Sequence, residues 1–351
     1  MESRGSTPAA ASAVVRLGTA AEIVDAVPYL VGFQPHDSLV VVSLRGSRGR
    51  VGMTARIDLP PPERVDESVR RLVGRLRTDG ASRAVVAAYP PDEGPAHPAV
   101  RALAAAFADR LAAAGIALTD MLCVHDGRWW SLTCTDPGCC PPGGTPLPEG
   151  VSVLGAAMAV EGRRVLPSRE ALADTLRPAG GELGAAMARA LPAIDGALAT
   201  RAWRGRRAEV EAESRALLRA AVERRLTGGA SLGVREAARL IAGLDDADVR
   251  DEVVTWADGD WGQAARGLLS DLVRHAVPPF HVVPLTVLAW IAYQQGDAIL
   301  AALAVQRALA SDPGYGLARL LDDALAAGVD PAVLAPVRRE IARVRSAETE
   351  A

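Results

Sequence analysis

Three of the four cysteines fall in one stretch, Cys134-Thr135-Asp136-Pro137-Gly138-Cys139-Cys140. A thiol can act as nucleophile, metal ligand or disulfide partner, so this stretch is where chemistry is first sought. Zinc asks for four ligands in a tetrahedron. The spacing Cys134-x4-Cys139-Cys140 has no second Cys-x-x-Cys pair and no His-x-x-x-His beside it. Only Cys123 or His125, on the strand expected just before, could complete a set, with Asp136 as a supporting group inside the loop. A catalytic thiol needs a helix N-terminus or a cation to lower its pKa. Pro141-Pro142 disfavours an immediate helix, although Arg128 or His125 could supply charge. A regulatory disulfide would join Cys134 to Cys139 or Cys140. The remaining reading is structural, with cysteine as a small hydrophobe in a Pro-Gly turn.

Other constellations are less complete. His36-Asp37-Ser38 holds the residue types of a hydrolase triad. Neighbours on a strand point to opposite faces, however, so they cannot line up as nucleophile, base and orienter. Asp37 and Ser38 are expected to satisfy the turn before a strand. Asp58 ends an alternating strand and is either a site residue at the sheet edge or an ordinary exposed acid. The chain has no Gly-x-Gly-x-x-Gly, Walker motif or His-Glu-x-x-His.

Composition excludes more than it proposes. A chain of 351 residues, 49% hydrophobic, can bury a large core and suggests two domains. The net charge of −3 argues against nucleic acid as a partner, because affinity for a polyanion grows with the cations set against its phosphates. All 39 basic residues are Arg, which removes Schiff-base lysine and P-loop lysine chemistry. No run of 18 apolar residues occurs, so no membrane span is expected. Residues 1–16 are rich in Ala, Ser and Gly and lack a secretory apolar core, and they are expected to be a disordered tail. A cytoplasmic setting with reduced thiols follows as the expectation.

Elements that could position these residues alternate up to the cysteine loop. Thr19-Ala20-Ala21-Glu22 is a capping box that opens a helix expected to stop at Pro28. Ser38 to Leu44 reads as a buried strand. Gly46 and Gly49 bracket a hairpin into Val51, Met53, Ala55, Ile57 and Leu59, which alternate with Gly52, Thr54, Arg56 and Asp58 as one buried and one exposed face. A helix through Val65, Val69, Leu72, Val73 and Leu76, a strand Ala84 to Tyr89, a helix from Pro98, a strand Ile116 to Val124 and a hairpin at Asp126-Gly127 follow. The order predicts an α/β domain over residues 17–150, a mixed sheet covered by helices that ends in the Cys/Pro-rich loop.

From Val151 the chain reads as an all-α domain, residues 151–346. Ser168 caps one helix and Pro192 is expected to open a longer one, interrupted near Gly205. Val210, Leu217, Leu218, Ala221, Val222 and Leu226 form its apolar stripe. Arg201, Arg204, Arg206, Arg207, Arg215 and Arg219, set among glutamates, read as a solvated, ion-paired face. Leu288-Ala289, Gly296, Ala301, Ala308 and Pro313 fall at the spacing of a tetratricopeptide-like helix pair, in a unit at about 284–327. A fainter copy begins at Trp256.

The segments Ala26 to Val42, Asp126 to Ser131, Cys134 to Pro142 and Pro284 to Trp290 together resemble an actinobacterial family, domain of unknown function four-one-nine-two. The resemblance spans about Leu17 to Pro331 and implies no activity, cofactor or catalytic residue. The leading functional expectation is a non-enzymatic interaction or regulatory protein that binds a protein or small ligand through the helical domain or the domain junction. A protein partner is expected, with no nucleic acid, no membrane and no cofactor; zinc is the one ion the cysteines could admit. The alternative is a thiol- or metal-dependent enzyme, or a redox sensor, centred on Cys134, Cys139 and Cys140.

Overall fold

Leu39-Val40-Val41-Val42 is an uninterrupted apolar run, the pattern of a strand covered on both faces. In the computed structural model it lies inside β1 (Ser38–Arg45), and all four side chains are buried. The structure describes residues 19–47, 49–147, 150, 155–156, 164–229 and 231–333. The tail expected over residues 1–16 and the end of the helical region past residue 333 lie outside them.

β1 pairs antiparallel with β2 (Arg50–Asp58) on one side and with β3 (Ala81–Tyr89) on the other. β4 (Ala117–His125) adds in parallel to β3, and β5 (Arg128–Ser131) and β6 (Thr145–Pro146) follow antiparallel. The result is a six-stranded mixed sheet in the order β2-β1-β3-β4-β5-β6. The β4–β5 turn is Asp126-Gly127, with φ of 46° and 68°, the positive pair that a two-residue hairpin requires.

The two faces of the sheet sort as the period-2 rule demands. Leu39, Val41, Val86, Ala88, Met121 and Cys123 pack beneath α2 (Val65–Thr78) and α3 (Pro98–Ala113). Val40, Val42, Val85, Ala87, Leu122 and Val124 pack beneath α1 (Ala20–Val31). The third residue class, on the free face of β2, has a separate use described below.

Past the sheet the described chain is helical: α4 (Arg169–Asp174), α5 (Gly181–Arg201), α6 (Arg207–Leu226), α7 (Val234–Leu244), α8 (Ala247–Val253), α9 (Gly259–His275), α10 (Val282–Gln294), α11 (Ala298–Ser311) and α12 (Gly316–Ala327). Their largest cluster is built around α10, where every residue from Val282 to Tyr293 is buried. Trp290 Nε1 donates to the Val254 carbonyl at 2.9 Å, so the indole is satisfied inside the core.

Two prolines depart from expectation. Pro28 does not end α1; the helix continues to Val31 and stops at Gly32, φ 84°, whose N–H bonds the Pro28 carbonyl at 2.8 Å. Val24, Val27 and Val31 form one buried stripe on the sheet, and burying such side chains at roughly 1.5–3 kcal/mol each offsets the cost of about 3 kcal/mol for an interior proline. Pro192 likewise sits inside α5, which begins at Gly181, rather than opening it. In α6 the stripe is also narrower than expected. Val210, Leu218, Ala221 and Val222 are buried, while Leu217 and Leu226 are exposed, because the partner helices cover one side only. The arginine face is ion-paired as read, with Arg201 to Glu213 at 2.7 Å, Arg207 to Glu211 at 2.6 Å and Arg219 to Glu252 at 2.7 Å.

Candidate functional site

β2 is an edge strand, with β1 on one side only. An edge presents unpaired backbone N–H and C=O groups that proteins normally blunt or cover. Here it borders a cleft of about 880 Å³ whose other wall comes from α10, α11, α12 and the segment after them. Every residue from Val51 to Asp58 lines this space, so the cleft follows the strand along its length. Thr54 and Arg56 pair with Val42 and Val40 and therefore share their face, the one toward α1 and α11. The residues read from sequence as the exposed half of the alternation thus form a wall of the cleft. The facing helices supply Ile299, Ala302 and Leu303 as apolar contacts and Gln294 and Gln295 as polar ones. Gln294 Nε2 and Gln295 Oε1 are buried without a hydrogen-bond partner among the described residues, one unused donor and one unused acceptor.

Ion pairs close one end of the cleft. Arg45 on β1 binds Asp79, which follows α2, and reaches Asp330 beyond α12 at 2.7 Å. Burial alone would raise the Asp79 carboxyl. Bonds from the Arg45 guanidinium, the Ser43 hydroxyl and the Met53 N–H at 3.2 Å instead hold it below its ordinary value. Arg45 is raised in turn, chiefly by its hydrogen bond to Asp79. Arg75 adds a bond to the Ala326 carbonyl at 3.0 Å. The sheet and the last helices are thereby fastened together across the cleft mouth.

Asp37 and Asp58 are brought together at the other end. Both line a smaller cavity of about 350 Å³ with His36, Arg56 and Arg169. Arg56 donates to Ser38 Oγ at 2.9 Å and to Asp58 at 2.5 Å, and its guanidinium stands 5.9 Å from the Phe33 ring centre. Ser38 Oγ donates to the His36 carbonyl at 2.5 Å, so the hydroxyl serves the turn and is not presented to a base. Asp58 and Arg56 also line the larger cleft, which makes this corner an extension of it.

The cysteine loop lies at the opposite edge, between β5 and β6. Its entry is held by Ser131 Oγ, which accepts the Cys134 N–H at 3.1 Å and donates to Asp120 at 2.7 Å. Asp136 shapes the middle. Its carboxylate accepts the Gly138 N–H at 2.8 Å, and its carbonyl accepts the N–H groups of Cys139 and Cys140 at 3.2 and 2.8 Å. At the exit Trp130 Nε1 donates to the Pro142 carbonyl at 3.0 Å and Arg128 to that of Gly144 at 2.9 Å. Gly144 has φ 74°, and a Cβ there would fall 2.5 Å from the Trp130 ring, so only glycine fits. The three Sγ atoms of Cys134, Cys139 and Cys140 all lie within 4.8 Å of one another, and all four cysteines are free. Neither Cys123 nor His125 joins them among the described residues. Cys123 is buried beneath α2 and α3, where burial pushes its thiol up to about 12. His125 Nδ1 faces the Pro90 carbonyl at 3.2 Å. The Cys140 thiol, hydrogen-bonded to Cys134 and then desolvated, is also pushed up to about 12, the direction opposite to what a nucleophile requires.

Compared with known families, residues 21–332 match the domain of unknown function DUF4192. The chain belongs to this family. No curated protein and no solved structure matches it.

For this DUF4192 member, the cysteine loop was legible as a unit because its residues are adjacent in sequence. The cleft was not. Arg45, Asp79, Gln294, Gln295 and Asp330 are brought to it by the fold from distant positions, and none carries a local motif. The available signal was the polar half of the β2 alternation, which marks a face left uncovered by the sheet's own helices. No helix among the described residues is long and apolar enough to cross a membrane.

Proposed function

We propose that this DUF4192 protein is a non-enzymatic cytoplasmic interaction or regulatory protein that takes an extended segment of a protein partner into the cleft along β2. The observation that carries the reading is a cavity following the free edge of a strand for eight consecutive residues, Val51 to Asp58. A peptide added there would satisfy edge N–H and C=O groups by β-strand addition, and its alternate side chains would meet the cleft wall. The unused amide donor of Gln294 and acceptor of Gln295 match the one acceptor and one donor of a peptide unit. Arg45, Arg56, Arg75 and Arg169 face Asp58, Asp79, Asp258, Asp322 and Asp330 around the cleft, a near balance of charge that favours a neutral backbone over a strongly charged ligand.

The helical wall has features that suit this role. α10 and α11 pack as an antiparallel pair through the small residues Ala289, Ala301 and Ala308, all fully buried, in the manner of a tetratricopeptide-like unit. On this reading residues 17–150 and 151–346 act as two units that form the binding site where they meet, and the free cysteines suit a reducing compartment.

Selection of a random peptide library on the full-length protein tests the proposal. Ala302 lies partly exposed on the cleft wall, so Ala302→Trp fills the space without entering the core. Selected peptides are expected to bind the wild type and to lose at least about tenfold in affinity, about 1.4 kcal/mol, for Ala302→Trp. Peptides that bind both proteins equally would refute the cleft as the site.

A further inference from the structure

We propose that Cys134, Cys139 and Cys140 form a site for a single thiophilic d10 cation, zinc being the ion it would hold, with solvent in the fourth coordination position. The site is independent of the cleft, which lies at the other edge of the sheet.

The sulfur spacing is the first argument. Zinc–sulfur bonds of about 2.3 Å at tetrahedral angles put thiolates about 3.8 Å apart, and the three Sγ atoms already lie within 4.8 Å of one another. A disulfide would draw two sulfurs to about 2.05 Å, exclude the third and require an oxidant. Only a cation uses all three.

The second argument is that the convergence is constructed. Cys139 and Cys140 are adjacent, and in a strand they would point apart. Their two N–H groups turning onto the single Asp136 carbonyl bend the backbone so that both thiols approach Cys134. Ser131 fixes the start of the loop, while Trp130 and Arg128 fix its end. Most of the ordering entropy of a flexible loop is thus met before any ion arrives. Metal binding would convert three thiols to thiolates and release three protons to solvent.

The open position follows from the ligand count. No His, Asp, Glu or further Cys joins the three sulfurs among the described residues, and Cys139 is exposed. A zinc site with three protein ligands and an accessible fourth position can accept water or an external donor.

Titration of the reduced, chelator-stripped full-length protein with Co²⁺ tests this. Thiolate-to-cobalt charge-transfer absorption is expected to saturate at one equivalent and to be displaced by one equivalent of Zn²⁺. Cys134→Ser and Cys139→Ser are each expected to weaken zinc binding at least about 100-fold. Cys123→Ala, in a different layer of the structure, is expected to leave the titration unchanged. Absence of the charge-transfer band, or an undiminished band in Cys134→Ser, overturns the proposal. So does a reduced protein that closes a Cys134–Cys139 or Cys134–Cys140 disulfide and takes up no cobalt.

Discussion

Asp79 shows how much a single side chain carries here. It ends α2 at the point where Arg45, Ser43 and the Met53 N–H converge, and Arg45 continues the network to Asp330. Asp79→Ala leaves a hydroxyl and an N–H without their acceptor and removes one of two carboxylates from the guanidinium. The expected cost is about 2–3 kcal/mol in urea unfolding, reduced from the full penalty for a broken buried pair because Arg45 stays partly exposed. The pH dependence has a definite sign. The folded carboxyl is depressed, so its stabilisation is present above the unfolded value near about 3.9 and is lost as pH falls through the lower folded value. The difference between wild type and Asp79→Ala should therefore be largest near neutrality and should shrink below about pH 4. A gap that stayed constant through acid pH would contradict the network.

At the level of elements, burial on one face decides which apolar residues matter. Leu217 and Leu218 are adjacent on α6, yet Leu218 is 1% exposed and Leu217 is 41% exposed. Leu218→Ala is expected to destabilise by about 2–5 kcal/mol and Leu217→Ala by less than about 0.5 kcal/mol in the same unfolding assay. Comparable effects would mean that α6 is packed differently. The strands and most helices of the sheet region were legible from sequence because period-2 and period-3.6 patterns are local. Thr19 and Glu22 form the capping box as read, with both reciprocal bonds present. Pro28 and Pro192 misled because a local rule for helix breaking was outweighed by tertiary packing. Leu217 misled because periodicity gives an apolar stripe but not the width of the surface that covers it. β6 had no signal of its own, since two residues paired to β5 make no pattern.

The whole molecule is a sheet with helices on both faces, joined to helices that return to one of its edges. Cleft residues from Arg45 to Asp330 share only that return, which explains why composition and motifs pointed to the cysteine loop and not to this site. The account makes the free edge of β2 the binding surface, and Thr54 on its cleft side reports on it directly. A photo-crosslinking amino acid placed at Thr54 in the full-length protein within its native host measures what lies there, with the exposed Leu217 as the reference position. The account predicts adducts at Thr54 that map to one extended segment of a partner polypeptide, absent at Leu217 and lost with Ala302→Trp. Adducts no more abundant at Thr54 than at Leu217, or adducts that persist with Ala302→Trp, would contradict it.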